Sequence, residues 1–153
     1  MTSEHGKPYD SPGFHLWQVT NQWQKNLRHA LHDLDLTHVQ FILLAATQGL
    51  NTQSQLEDIT QVQIASYAHV DPMMASQVLR HLEKKGFIIR KEHPTDTRAK
   101  AISLTLEGER ITAQALEIVM EAENIFFARL GEEQETLVNL MRALGNETTQ
   151  DNN

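Results

Sequence analysis

Apolar positions recur along this chain with a helical period, give way briefly to a period of two, and then return to the helical one. In residues 14–34, Leu16, Val19 or Thr20, Trp23, Leu27, Leu31 and Leu34 recur at helical spacing and predict one long amphipathic helix. Thr37 and Gln40 stand at capping-box spacing before the run Phe41, Ile42, Leu43, Leu44, Ala45, Ala46, which is apolar nearly all round. A buried central helix should open there and end at Gly49. Residues 51–58 are polar and read as a loop, with a strand residue or two before Ile59 that pair with a later hairpin. Thr60 and Gln63 repeat the capping-box spacing ahead of Ile64, Ala65, Tyr67 and Ala68, a short helix. Only His69, Val70 and Asp71 separate it from the helix over 72–85. There Asp71 is a good N-cap, Pro72 fits the first turn, Ala75, Val78, Leu79 and Leu82 form an i, i+3, i+4, i+7 stripe, and Gly86 suits a left-handed C-terminal stop.

After Gly86 the period shortens. Phe87, Ile88 and Ile89 start one strand, residues 101–106 form a second with Ile102, Leu104 and Leu106 on one face, and His93-Pro94-Thr95-Asp96 turns between them. Helical spacing then runs over 107–130, Gly131 breaks it, and 132–144 carries Leu137, Val138, Leu140, Met141 and Leu144. The stripes on the first and the last two helices would leave a large apolar patch on a monomer, so a symmetric dimer that interleaves them is expected. Residues 1–12 and 146–153 are polar tails, expected to be disordered.

Two short helices joined by so tight a turn form a helix-turn-helix, whose second helix enters a DNA major groove while the first braces it across the backbone. The face of the 72–85 helix opposite its stripe carries Met73, Ser76, Gln77, Arg80 and Lys84, with Met74 and His81 alongside. That is a short, hydrogen-bonding surface of net positive charge. Gln77 can pair bidentately with adenine, whereas Met73 and Met74 offer only apolar contact, for instance to a thymine methyl. Lys84 and Lys85, two turns further on, suit phosphate, although lysines also favour a helix C-terminus for its dipole alone.

The run Leu82-Glu83-Lys84-Lys85-Gly86-Phe87-Ile88-Ile89-Arg90, then Asp96-Thr97-Arg98, then Leu104-Thr105 with Gly108, resembles the signature of the MarR-type winged helix-turn-helix transcription regulators. The resemblance covers residues 14–144. It implies a mainly α (α+β) fold in a single domain over 1–153, with a winged helix-turn-helix lobe over 37–106 and dimerisation helices at 14–34 and 107–144. It also implies that Arg98 lies at the wing tip near the minor groove, with Asp96 pairing to it to fix the wing. The expected DNA contacts are Thr60, Gln63, Met73, Met74, Ser76, Gln77, Arg80, Lys84, Asp96, Arg98 and Lys100. The family's effector cleft lies between the first helices and the winged lobe, which makes Trp17, His38 and Phe41 candidates for its lining. This chain departs from the pattern at Met73-Met74-Ala75, where many relatives carry small hydroxyl and β-branched residues, so the bases read are not carried over.

Charge refines that expectation. The 153 residues sum to -7, and a basic domain is the usual footprint of DNA binding. From 69 to 100, however, seven basic residues (Arg80, Lys84, Lys85, Arg90, Lys91, Arg98, Lys100) stand against four acidic ones (Asp71, Glu83, Glu92, Asp96), a local +3. The other six basic and sixteen acidic residues carry -10. Charges are screened beyond about 8 Å at physiological salt, so the local patch governs phosphate attraction.

Composition excludes other classes. At 40% apolar and 22% charged the chain suits one globular domain or one protomer of an intertwined oligomer. No run approaches the ~18 apolar residues of a membrane span, the N-terminus has no signal-peptide layout, and a cytoplasmic protein with no membrane partner is expected. With no cysteine there is no disulfide, thiolate metal site or thiol redox switch. Among eight histidines, His29 and His32 stand at i, i+3 with His38 following, but the only nearby carboxylates are Asp33 and Asp35, so no metal or other cofactor is expected. No phosphate loop, nucleophile elbow or His-Glu-x-x-His motif suggests an enzyme. The expected function is a dimeric, sequence-specific regulator, a repressor of a pseudo-palindromic operator on double-stranded DNA, relieved by a small-molecule effector. A winged-helix module for protein contacts, favoured by the acidic sum, and a zinc-responsive regulator are the alternatives.

Overall fold

A computed structural model describes residues 10–54, 58–96 and 99–145, of which Gln53 and Ser54 are described in backbone only. The elements are α1 (Pro12–Leu31), a 3-10 turn (His32–Leu34), α2 (His38–Ser54), β1 (Ile59–Thr60), α3 (Gln61–Ala68), α4 (Pro72–Lys84), β2 (Ile88–Glu92), β3 (Lys100–Leu104), α5 (Leu106–Phe127), a second 3-10 stretch (Ala128–Glu133) and α6 (Gln134–Gly145). The chain divides into two compact units, one up to Val119 and one from Met120.

In the first unit, α2 is the centre. Its Leu43 and Leu44 are fully buried, together with Leu27 and Leu31 of α1, Ile59 of β1, Ile64 of α3, Leu79 and Leu82 of α4 and Ile102 of β3. The helix opens as its capping box requires. Thr37 Oγ1 accepts from Gln40 N at 3.1 Å and Gln40 Oε1 accepts from Thr37 N at 3.1 Å. Gly49, however, does not end it; α2 continues to Ser54. A Cβ at Gly49 would come within 3.1 Å of Tyr67 Oη, so the glycine makes room for the α3 ring and is not a stop. Part of the expected 51–58 loop is thus helix, and residues 55–57 lie outside the described residues.

The helix-turn-helix forms as its sequence signals indicate. Thr60 and Gln63 make a reciprocal capping box, at 3.2 and 2.9 Å, and α3 closes on His69 in the left-handed region at φ 53°. Asp71 caps α4 by accepting from Met74 N at 3.0 Å. At the other end, Phe87 N donates to Leu82 O and Gly86 N to Glu83 O, both at 3.0 Å, with Gly86 at φ 82°, a Schellman stop in which a side chain would be strained. The antiparallel sheet runs β1-β3-β2, with Ile59 opposite Ile102 and Ile88 opposite Leu104. The short first strand is Ile59–Thr60 itself, not the residues before it.

Thr105 locks the sheet to both flanking helices. Its N–H donates to Phe87 O at 3.0 Å, its hydroxyl donates to Gly86 O at 2.6 Å, and the same oxygen accepts from Gly108 N at 3.0 Å. Capping by Thr105 starts α5 at Leu106, which is 80% exposed and not on the strand face expected of it. A Cβ on Gly108 would fall 1.9 Å from Phe87 O, so only glycine allows this approach of helix to strand. Gly108, Thr112, Ala115 and Val119 form the buried face of α5.

In the second unit, α5 ends at Phe127 rather than Leu130, and Gly131 (φ 52°, ψ -124°) breaks the 3-10 stretch that follows. Gln134 Nε2 donates back to Phe127 O at 3.0 Å. On α6, Leu140, Met141 and Leu144 are exposed.

Two tests follow from these contacts. Gly108→Ala must displace backbone and should destabilise the protein by about 3 kcal/mol, and Thr105→Val by about 1 to 2, read from denaturation midpoints. An unchanged midpoint for Gly108→Ala would mean that the contact with Phe87 is not tight. His38, half-buried edge-on to Trp23 with ring centroids 5.2 Å apart, is pushed by burial below its ordinary pKa of 6.5. The unfolded chain then binds the proton more readily, so the contribution is fully present above pH 6.5 and is lost as pH falls below it toward the folded value. Denaturation at pH 7.5 and 5.5 should show that loss, and His38→Gln should reduce it.

Candidate nucleic-acid interface

The buried stripe of α4 (Ala75, Leu79 and Leu82, with Val78 half-buried) fixes which side chains face outward. Met73 is 77% exposed and Met74 50%; Gln77, Arg80, His81, Glu83 and Lys84 are exposed, and Ser76 is half-buried. The outward face is therefore the one its spacing predicts.

Between α4 and β2 lies an open cleft of about 620 Å³, lined by Gln77, Arg80, His81, Glu83, Lys84 and Arg90. Two arginines, one lysine and one glutamate are among the residues that line it. Arg90 is the residue that the site expectation lacked. Its Nη2 donates to Gln61 Oε1 at 3.5 Å, and its Nε is buried with no hydrogen-bond partner. The signal was present in the period-two pattern: Ile88 is buried, Ile89 is 42% exposed, and Arg90 returns to the inner side.

Lys85 behaves differently from its neighbour. Its ammonium turns away from the outward face, donating to the Asp35 carbonyl and to Gln40 Oε1 at 3.3 Å, and lies 3.6 Å from the Asp35 carboxylate. The expectation that Lys85 joins Lys84 on phosphate is corrected by this. Asp35 sits at φ 52° before α2, so Lys85 ties the end of α4 to the α1–α2 junction.

Thr60 and Gln63, expected as DNA contacts, use their side-chain oxygens on each other's backbone N–H groups and so set the start of α3. In the wing, His93 Nδ1 accepts from Thr95 N at 3.3 Å and Asp96 N at 3.2 Å, and Ala99 N donates to Asp96 O at 3.1 Å. Asp96 and Lys100 are exposed; Thr97 and Arg98 lie outside the described residues, and with them the expected Asp96–Arg98 pair.

Of the expected effector-cleft residues, Trp17 is 68% exposed, Phe41 is buried, and His38 meets Trp23, whose Nε1 is buried without a hydrogen-bond partner. Among the described residues no three His, Asp or Glu side chains gather to hold a metal ion, and no helix is long and apolar enough to cross a membrane.

Comparison with known proteins places this geometry. Residues 36–100 match the model of the MarR family. The chain is 42% identical over 146 residues to the uncharacterised HTH-type transcriptional regulator YdcH of Bacillus subtilis, covering 95% of this chain and 97% of that one. The fold is similar to that of S. aureus MepR in complex with DNA, at TM-score 0.77 and 27% identity over 89% of this chain and 98% of that one. It is similar too to a mutant MarR of E. coli complexed with operator DNA, at TM-score 0.77 and 25% identity over 86% and 91% of the two chains. With the helix-turn-helix, the wing and a relative that matches over nearly its whole length, the chain belongs to the MarR family of winged helix-turn-helix transcriptional regulators.

Proposed function

We propose that the protein is a cytoplasmic, homodimeric repressor that reads a pseudo-palindromic operator with α4 and is released by a small ligand. The observation that carries this reading is the α4–β2 cleft. Arg80, Lys84 and Arg90 supply phosphate-binding charge in one cleft with Gln77, and Met73 and Met74 are exposed in the first turn of the same helix, at base-reading positions. Asp96 and Arg98 are carried over as wing contacts from the family resemblance, and Ser76 and Lys100 are included with them. The DNA-bound complexes of MepR and of MarR support carrying this function to the present chain.

Dimerisation is supported by apolar exposure on three helices: Leu16 and Trp17 on α1, Met120 and Ile125 on α5, and Leu140, Met141 and Leu144 on α6. A two-fold dimer sets its half-sites about one helical turn apart, roughly 10 base pairs. Ligand release is carried over from the family resemblance, with Trp17, His38 and Phe41 as the candidate lining; His38 packs edge-on to Trp23. The net charge of -7 favours a second reading, a protein-contact module that binds no DNA. Gel shifts of genomic fragments at two salt concentrations separate the two readings.

Four substitutions test the interface. Gln77→Ala should weaken operator binding by ~1 to 3 kcal/mol and leave random DNA nearly untouched. Lys84→Ala and Arg90→Ala should weaken both and lower the slope of log K against log salt by about 1 each. Arg98→Ala should reduce affinity without unfolding the protein or splitting the dimer. Equal losses on operator and random duplex for Gln77→Ala would remove it from sequence reading. Removing residues 132–153 should give monomer or aggregate by light scattering, and a well-behaved dimer would place the interface elsewhere.

A further inference from the structure

The outward face of α4 carries two thioethers, in a chain that has no thiol to take an oxidant's attack first. Met73 and Met74, 77% and 50% exposed, stand in the first turn of α4. Among the described residues, no hydrogen bond or ring contact engages either side chain; Met74 N donates to the Asp71 side chain, at Oδ2. Oxidant can therefore reach both sulfurs without local unfolding. The other methionines are placed differently. Met1 lies outside the described residues, and Met120 and Met141, 54% and 46% exposed in the single chain, belong to the faces of α5 and α6 assigned above to the dimer, outside the helix-turn-helix and wing.

We propose that Met73 and Met74 form an oxidation-sensitive modification site, converted to methionine sulfoxides by two-electron oxidants of the hypohalous acid class, and that this conversion releases the protein from DNA. The proposal rests on the DNA-reading function given above. With hypochlorous acid, an S–O bond forms as the O–Cl bond breaks. Chloride and one proton leave, and sulfur loses the two electrons that chlorine gains. Two thiols reverse the step, taking the oxygen off as water and joining as a disulfide.

The direction of the effect follows from the chemistry of the groove. A thioether can lie against a thymine methyl or a sugar, whereas a sulfoxide presents a strong acceptor and no donor. The neighbouring DNA groups are mostly acceptors: phosphate oxygens, purine N7, guanine O6 and thymine O4. Two sulfoxides at the start of α4 thus set acceptor against acceptor. The fold itself is spared, because the buried stripe of α4 is Ala75, Leu79 and Leu82 and the cap is an aspartate on a backbone N–H.

The test uses the full chain and a duplex recovered by selection from genomic fragments with unoxidised protein. After hypochlorous acid treatment, with sulfoxides mapped by peptide mass, affinity should fall about tenfold or more, the loss of one or two base-edge contacts. Circular dichroism and oligomeric state should be unchanged, and methionine sulfoxide reductase with a thiol should restore binding. The variant carrying Met73→Leu and Met74→Leu, whatever its own starting affinity, should lose none of it through the same treatment. Equal loss in that variant, or full affinity in wild type with both residues oxidised, overturns the proposal. Should the double variant fold poorly, oxidation of wild type with and without the duplex decides: bound DNA should slow sulfoxide formation at Met73 and Met74 several-fold, and equal rates overturn the proposal. Absence of binding before any oxidation refutes the DNA-reading function, and this proposal with it.

Discussion

One hydroxyl group sets the geometry on which the interface depends. Thr105 Oγ1 donates to the carbonyl that follows α4 and accepts from the first turn of α5, while Thr105 N bonds the carbonyl at the start of the wing. Each bond is worth about 1 kcal/mol, so the importance of the joint lies in position more than in energy. It fixes where α4 stops, where β2 begins and where α5 leaves the sheet. Gly108 is part of the same joint, since any side chain there would collide with Phe87 O. The cleft between α4 and β2 exists because these two elements diverge from a pinned corner.

Lys85 supplies the second constraint on α4. Two adjacent lysines at one helix end divide their work: Lys84 lines the cleft, and Lys85 turns to Asp35 and Gln40 at the α1–α2 junction. Gln40 Oε1 also caps α2, so a movement at that junction reaches α4 through one buried amide. His38 and Trp23 stand beside the same junction. Under the proposed function, a ligand that shifted them would have a short physical route to α4 through the contacts of Lys85 and Gln40.

Much of this was legible in the sequence, because local signals and burial agreed. The capping boxes at Thr37 and Thr60, the Asp71 cap and the Gly86 stop each form as their spacing indicates. The signal failed where a residue's role depends on a distant partner. Gly49 reads as a helix end, but its neighbour is the Tyr67 ring. Leu106 continues the strand's alternation, but the Thr105 cap turns the chain into α5. Lys85 reads like Lys84, and its partner lies 50 residues away. Arg90 reads as one more wing cation; the strand's alternation puts it on the inner side with Ile88, but which element it faces there is set by α4, outside the strand.

The absence of cysteine allows the most direct measurement of where α4 sits on DNA. A single cysteine introduced by Met73→Cys can carry an iron chelate that cuts nearby DNA. On a duplex recovered from genomic fragments, a dimer with α4 in the major groove should cut in two clusters about one helical turn apart, related by a dyad. Cutting no stronger than that of the free chelate, or one cluster with no symmetry mate, would contradict the placement of α4 as the DNA-reading helix of a two-fold dimer.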